Sequence, residues 1–266
     1  MNETVTQDAK RRGGRRERRD LRTRPDHAML PTLAGQLPLT EPMDQEQIER
    51  IDAASLDILE EVGVVFRDNI ALEDWREAGA DVRGERVHLD RGLVKSLIET
   101  IPSEITLHAR NPEKTVSLGG RQSIFIPMTG APYLRDLEDV RRSPTLDDLA
   151  TFHKLAHMLP AMHSSAHHIV EPMDHPISHR HLRITHSSML YSDKTFMGMT
   201  TSGQNAEDVL DMCAILFGEE YLETHAVVTG NCNGNSPLVW DETMLSAMRA
   251  FNRRNQPVLC SPFVLG

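Results

Sequence analysis

The sequence predicts an α/β protein: a partial (β/α)8 barrel of about five βα units, preceded by a small mixed α+β region. Three observations carry this. From Ser123 onward, apolar strand-like runs alternate with amphipathic helical runs. The predicted strands begin near 124, 165, 195, 226 and 258, and the last three intervals are each about thirty residues. MTGAPY (128–133), after the first strand, matches neither GxGxxG nor the phosphate-loop pattern, which favours a barrel over an open doubly wound sheet.

The elements follow in order. Residues 1–43 are basic, then punctuated by Pro25, Pro31, Pro38 and Pro42, and read as a disordered tail and linker. The next unit spans 44–122. Its first helix covers 45–64, with Ile48, Ile51, Ala54, Ile58 and Val62 at helical spacing and Gly63 where the helix stops. A short helix (71–80), a strand (86–90), a helix (92–102) and two alternating strands (104–110, 115–120) complete it. The barrel region spans 123–266. Its predicted strands are 123–130, 164–172, 195–202, 225–233 and 257–266. Its predicted helices are 145–159, 177–191, 206–218 and 241–254; Leu149, Phe152, Leu155, Ala156 and Leu159 share one face of the first of these. Five strands do not close a barrel of eight, so the sequence reads as the N-terminal part of a longer protein.

Composition narrows the function classes. The chain has 266 residues, 39% hydrophobic and 26% charged, the balance of a globular protein. No apolar run is long enough to span a membrane, and the N-terminus lacks the apolar core of a secretion signal. Three cysteines are too few for a disulfide framework. A cytoplasmic protein with no membrane partner is expected. The net charge of −10 hides a basic N-terminus: residues 1–24 carry +5, which leaves −15 for the rest. The arginine run 10–24 has no interleaved aromatics, so a solvated tail is expected rather than a nucleic-acid contact.

In parallel α/β folds, sites gather at the C-terminal ends of strands. Here those ends carry Thr129 and Tyr133; His168, Glu171 and Asp174; Thr200, Thr201 and Ser202; Asn231, Asn233 and Asn235, with Trp240 and Asp241 beyond; and Ser261 with Pro262. Neutral amides and hydroxyls, a few carboxylates and two aromatics suit a small polar or cationic ligand. The competing reading is that the asparagines only satisfy turn backbone, and for Asn235 that reading is preferred. Of the pair 167–168, His168 lies nearer the strand end, although strict alternation would put His167, not His168, on the face of Glu171.

Two pairs have the residue types of a metal site. His153 and His157 are four apart on a helix but lack a third ligand. Cys232 and Cys260 fall on neighbouring strands; if Asn231 and Asn233 face inward, Cys232 faces the helices, where a buried free thiol is ordinary. No metal ligand set is predicted.

ASLDILEEVGVVFRDNIALEDWREAGADVRGERVHLD, RNPEKTVSLGG, IPMTGAPYLRDLEDVRRSPTLDDLATFHKL and NGNSPLVWDETMLSAM resemble the trimethylamine methyltransferase family, from about residue 44 to the end. The resemblance implies a (β/α)8 barrel that moves a methyl group from a methylated amine, either trimethylamine or a quaternary amine such as glycine betaine, to the Co(I) of a corrinoid. That corrinoid is carried by a separate small protein, the implied partner, and a homo-oligomer is expected. Under it, Asn231 and Asn233 orient substrate or corrinoid and Glu171 or Asp174 balances a cation. Trp240 or Tyr133 gives a cation–π face, and Thr129, His168, Thr201 and Asp241 line the site. Two alternatives stay open: a truncated chain without catalysis, and a different barrel enzyme such as a metal-dependent lyase.

Overall fold

The computed structural model describes residues 28–35, 40–235 and 237–261. The arginine run 10–24 and Pro262 lie outside the described residues.

Side-chain caps and one glycine set the limits of the N-terminal unit. Helix α1 (Gln45–Asp57) opens on a capping box: the Asp44 carboxylate accepts from the Gln47 N–H, and the Gln47 side chain accepts from the Asp44 N–H. The helix widens into a π turn (Ile58–Val62) and stops at Gly63. Gly63 has φ 70°, and a Cβ there would sit 2.5 Å from the Val87 carbonyl oxygen, so only glycine fits. Strand β2 (Val64–Arg67) leads to α2 (Asn69–Glu77), which Asp68 caps at 2.8 Å from the Ala71 N–H. Strands β3 (Asp81–Arg83) and β4 (Arg86–His88), helix α3 (Arg91–Glu99) and the antiparallel pair β5 (Glu104–Leu107) and β6 (Val116–Gly119) follow.

The sequence expected Ile48, Ile51, Ile58 and Val62 on the packed face of α1, and the structure leaves all four exposed. The helix seats Leu56 and Leu59 instead, and Arg91 ties it down through Asp57 and Glu60. Periodicity locates an apolar stripe; it does not say which side a neighbour occupies. Part of the segment read as linker is engaged: β1 (Leu33–Ala34) pairs antiparallel with β7 (Gln122–Ser123), and the Leu30 N–H donates to the Pro160 carbonyl.

After the small hairpin β8 (Leu134–Arg135) and β9 (Arg141–Arg142), helices and parallel strands alternate. They are α4 (Leu146–Met158), α5 (Ile177–Tyr191), β10 (Phe196–Met197), α6 (Gly203–Phe217), α7 (Glu219–Thr224), β11 (Val228–Cys232), β12 (Val239–Asp241), α8 (Glu242–Arg253) and β13 (Val258–Cys260). Strand β10 pairs parallel with β11, and β11 with β13. Ahead of them, Ser164 bridges Thr195 and Ala131 bridges Val170, both in parallel sense. Five segments thus lie side by side in chain order, and α4, α5 and α6 pack successively, with α8 on α6. A doubly wound sheet reverses its strand order at one point; this one does not. Among the described residues no closed barrel is formed.

The first two expected strands are irregular. From 124 to 130 the chain is held by single backbone bonds, from the His163 N–H to the Phe125 carbonyl and from the Gly130 N–H to the His168 carbonyl. Pro127 offers no donor there, and Gly130 turns to φ 81°. In the second, Ala166 adopts φ 54°, unusual for a residue with a Cβ, and breaks the ladder.

The main core lies between the strands and α4–α8: Leu149, Ile184, Val209, Leu210, Val228 and Phe251 are fully buried. A second cluster of Val64, Phe66, Leu72, Val87 and Leu245 sits under the four-stranded sheet β12-β2-β4-β3. Trp240 packs against both clusters. Strand β12 belongs to the loop after β11, yet it pairs parallel with β2, Trp240 opposite Phe66.

Candidate functional site

Glycine lets the strands approach the helices closely and so fixes which residues face away from them. A Cβ on Gly230 would lie 3.3 Å from the Phe251 ring, so that position points at α8. Cys232, two residues on, points the same way, with its Sγ 3.7 Å from the Met244 carbonyl. By alternation Asn231 and Asn233 face the opposite side, away from the helices. Asn231 is held twice: Thr200 Oγ1 donates to its carbonyl, and Ser261 Oγ donates to its Oδ1 at 3.0 Å. Asn233 differs. Its Oδ1 is shielded from solvent and has no hydrogen-bond partner among the described residues. An unpaired buried acceptor costs about 1–3 kcal/mol, so such groups mark places where another donor belongs.

Asn235 closes the loop. Its backbone exchanges hydrogen bonds with Val239, and its Nδ2 donates to Asp241 Oδ2 at 2.8 Å. Asp241 Oδ1 caps α8 by accepting from the Met244 N–H. Both Asp241 oxygens are therefore spent on the loop and helix. Trp240 packs near Gly234, where a Cβ would come within 3.2 Å of the indole.

A second group forms at the end of the second segment. Glu171 Oε1 accepts from Arg180 Nη1 at 2.7 Å, and Arg180 also donates to the His175 carbonyl through Nε and Nη2. Glu171 Oε2 lies 3.9 Å from His168 Nε2. The carboxylate was read from the sequence; its arginine was not. The signal was present: Arg180 is the fourth residue of α5, near a helix N-terminus, where a cation is unfavourable without an anion beside it. The alternation argument against His168 fails because this segment is not a regular strand.

Burial favours the neutral form of three histidines here. Burial drives His153 down to about 4, opposed by its bond to the His167 carbonyl. His153 uses its other nitrogen on Ser187 Oγ, so both are occupied inside the protein. Burial, with His168 and His153 nearby, puts His167 well below the usual histidine range. Burial also lowers His168, partly offset by Glu171.

The remaining candidates are placed as follows. Thr129 is half-buried beside Gly130. Tyr133 is half-exposed, and the Arg141 guanidinium already covers its ring at 4.0 Å. Asp174 is exposed, with Oδ1 accepting from the Leu146 N–H at the start of α4. Thr201 Oγ1 accepts from Asn205 Nδ2. Two groups therefore emerge at the strand ends: Asn231, Asn233, Thr200, Ser261 and Trp240 in one, His168, Glu171 and Arg180 in the other. Among the described residues, no three His, Cys, Asp or Glu side chains are placed to share a metal ion, and no helix is long and apolar enough to cross a membrane.

Comparison with known proteins gives this site a context. The family model for trimethylamine methyltransferase (MTTB) matches residues 11–266. A glycine betaine methyltransferase of Desulfitobacterium hafniense (strain Y51) is 39% identical over 230 residues, which is 86% of this chain and 48% of that protein. The trimethylamine methyltransferase MttB of Desulfitobacterium hafniense (strain DSM 10664 / DCB-2) is 26% identical over 73% of this chain and 40% of its own length. An L-carnitine:corrinoid methyltransferase of Eubacterium limosum is 24% identical over 80% of the chain and 46% of its own. The chain spans about half the length of the curated relatives it matches. From the residues it shares with them and the extent of the match, the chain belongs to the trimethylamine methyltransferase family.

Proposed function

We propose that this chain supplies the first five βα units of a (β/α)8 barrel that transfers a methyl group from a quaternary amine to a reduced corrinoid held by a partner protein. The family match and the glycine betaine methyltransferase relative support the reaction class. The sequential parallel order of the strands supports the barrel. The unpaired, solvent-shielded Asn233 Oδ1, in a loop whose next residue, Gly234, lies against Trp240, supports the substrate class most directly. A quaternary ammonium has no N–H, but its N-methyl hydrogens carry much of the positive charge. A carbonyl oxygen and an aromatic face are the groups that hold such a cation.

Reduced cobalt, as the methyl acceptor, supplies the nucleophile. What the chain supplies is position. Trp240 forms the aromatic wall, since the Tyr133 face is already covered by Arg141. Asn233 points its oxygen at the methyl-bearing cation, and Asn231, fixed by Thr200 and Ser261, sets the shape of that strand end. Glu171 keeps Oε2 for the cation while Arg180 holds Oε1. Departure of a tertiary amine from a quaternary one needs no proton, so histidines whose burial favours the neutral form and a matched ion pair are compatible with the step. Holding the cation in line and excluding water is then the main contribution to rate.

The test mixes the protein with chemically reduced cob(I)alamin and glycine betaine, and follows loss of the Co(I) absorption. Trimethylamine is the comparison donor. Methylation with glycine betaine that falls in Asn231→Ala and Asn233→Ala, with folding unchanged by circular dichroism, is expected. Unchanged transfer in both variants would remove the asparagines from the reaction. No methylation with either donor would remove the activity from this chain.

A further inference from the structure

Cys232 and Cys260 are direct partners in the parallel register of β11 and β13. Adjacent strands run about 4.8 Å apart, and paired positions present their side chains on the same face. That spacing falls within the Cα separation of about 4.4–6.8 Å that a disulfide tolerates. Both thiols are free. They differ in access: Cys232 is fully buried, its Sγ near the Met244 carbonyl, whereas Cys260 is exposed. The third cysteine, Cys213, is buried in α6 and has no cysteine partner in the strand register.

We propose that Cys232 and Cys260 form a dithiol site that a small-molecule disulfide oxidises to a cross-strand disulfide. The steps balance. Cys260, as thiolate, attacks one sulfur of the external disulfide; an S–S bond to Cys260 forms and one external thiolate leaves. Cys232, as thiolate, then attacks the Cys260 sulfur; the Cys232–Cys260 bond forms and the second external thiolate leaves. The two protons lost by the cysteines go to the two departing thiolates. One external disulfide is reduced by two electrons, and the protein pair is oxidised by the same two. The register supports the pairing, and the exposure of Cys260 sets the order of attack. Burial raises both thiols, Cys232 to about 11 with Cys260 adding to it; Cys260 is the one an external disulfide can reach, so the buried sulfur is the resolving partner.

The test treats the purified chain with oxidised glutathione, quenches with acid, and counts free thiols after denaturation. The expected result is a fall from three free thiols to one, a Cys232–Cys260 linked peptide in the digest, and return to three with dithiothreitol. Cys260→Ser should keep both its remaining thiols free. Cys232→Ala should accumulate a lasting glutathione adduct on Cys260. Cys232 lies in the core, so if that variant unfolds, a second measurement decides without it. One-to-one capture of phenylarsine oxide by the untreated protein, lost in Cys260→Ser, is expected. A stable glutathione adduct on Cys260 of the unmutated protein, chains linked to each other through Cys260, or three thiols left free would each overturn the proposal.

Discussion

The ion pair between Asp68 and Arg249 joins the N-terminal unit to α8, and its removal has a calculable cost. Arg249 donates to both Asp68 oxygens, at 3.0 and 2.5 Å, and the Asp68 side chain is 2% exposed. Arg249→Met keeps most of the packing but leaves a carboxylate without its cation. Breaking a buried pair this way costs about 3–5 kcal/mol. Asp68 retains the Ala71 N–H, which offsets about a fifth to a third of that, so about 3 kcal/mol is expected. For a chain of this size that is about 6–12 °C in Tm. Thermal and urea unfolding by circular dichroism measure it. Adding Asp68→Asn removes the orphaned charge, so the double variant should be more stable than Arg249→Met alone. Acid supplies a second check. Burial raises the Asp68 carboxyl, but Arg249 and the Ala71 N–H outweigh it and hold it below the ordinary carboxylate range. The contribution is therefore complete above the unfolded value of about 4 and disappears as pH falls through the lower folded value. The gap between the parent and Arg249→Met should close over that window. A double variant whose loss equals the sum of the two single losses, or a gap that persists in acid, would refute the reasoning.

Two further outcomes follow from packing and burial. Gly198→Ala places a Cβ 2.9 Å from both Phe251 Cζ and Val209 Cγ1, two fully buried side chains, and should cost about 1–3 kcal/mol in urea unfolding; Phe251→Leu in the same chain should recover part of it. His153 is neutral when folded, with its value near 4 against 6.5 free, so its contribution is complete above about 6.5 and is lost as pH falls toward 4, on the order of 3 kcal/mol. His153→Asn should be less stable than the parent at pH 7 but lose less between pH 7 and 4, and equal acid slopes would contradict this.

Much of the architecture was readable because it rests on local signals. Thr145 marks the start of α4 and Gly63 the end of the first helix, each by a hydrogen bond or steric limit the sequence displays, whereas α6 starts at Gly203 under a Ser202 cap, three residues before the expected 206. The strands were harder to read where backbone geometry overrides pattern: Pro127 and the turned Ala166 leave two apolar runs without ladders. Strand β12 was missed because Val239–Asp241 is too short to show alternation and its partner, β2, lies far away in sequence. In the site, the inward asparagines followed from strand alternation and the outward Cys232 confirms the parity. The separate duties of Asn231, Asn233 and Asn235 did not, because identical side chains diverge only through partners such as Ser261 and Asp241. Asp174 and Asp241 looked like ligand groups in the sequence and are engaged at helix starts in the structure.

Strand β12 gives the loop after β11 two masters. Its sequence neighbours are β11 and α8, while its hydrogen-bonding edge is β2. The two units are therefore not interchangeable cassettes. A chimera that exchanged residues 44–122 between relatives would import a foreign β2 edge and a foreign partner for Arg249, and the loop carrying Asn233 and Trp240 would be remoulded with them. A substitution in β2 therefore reaches the loop that carries Asn233 and Trp240 without touching either residue.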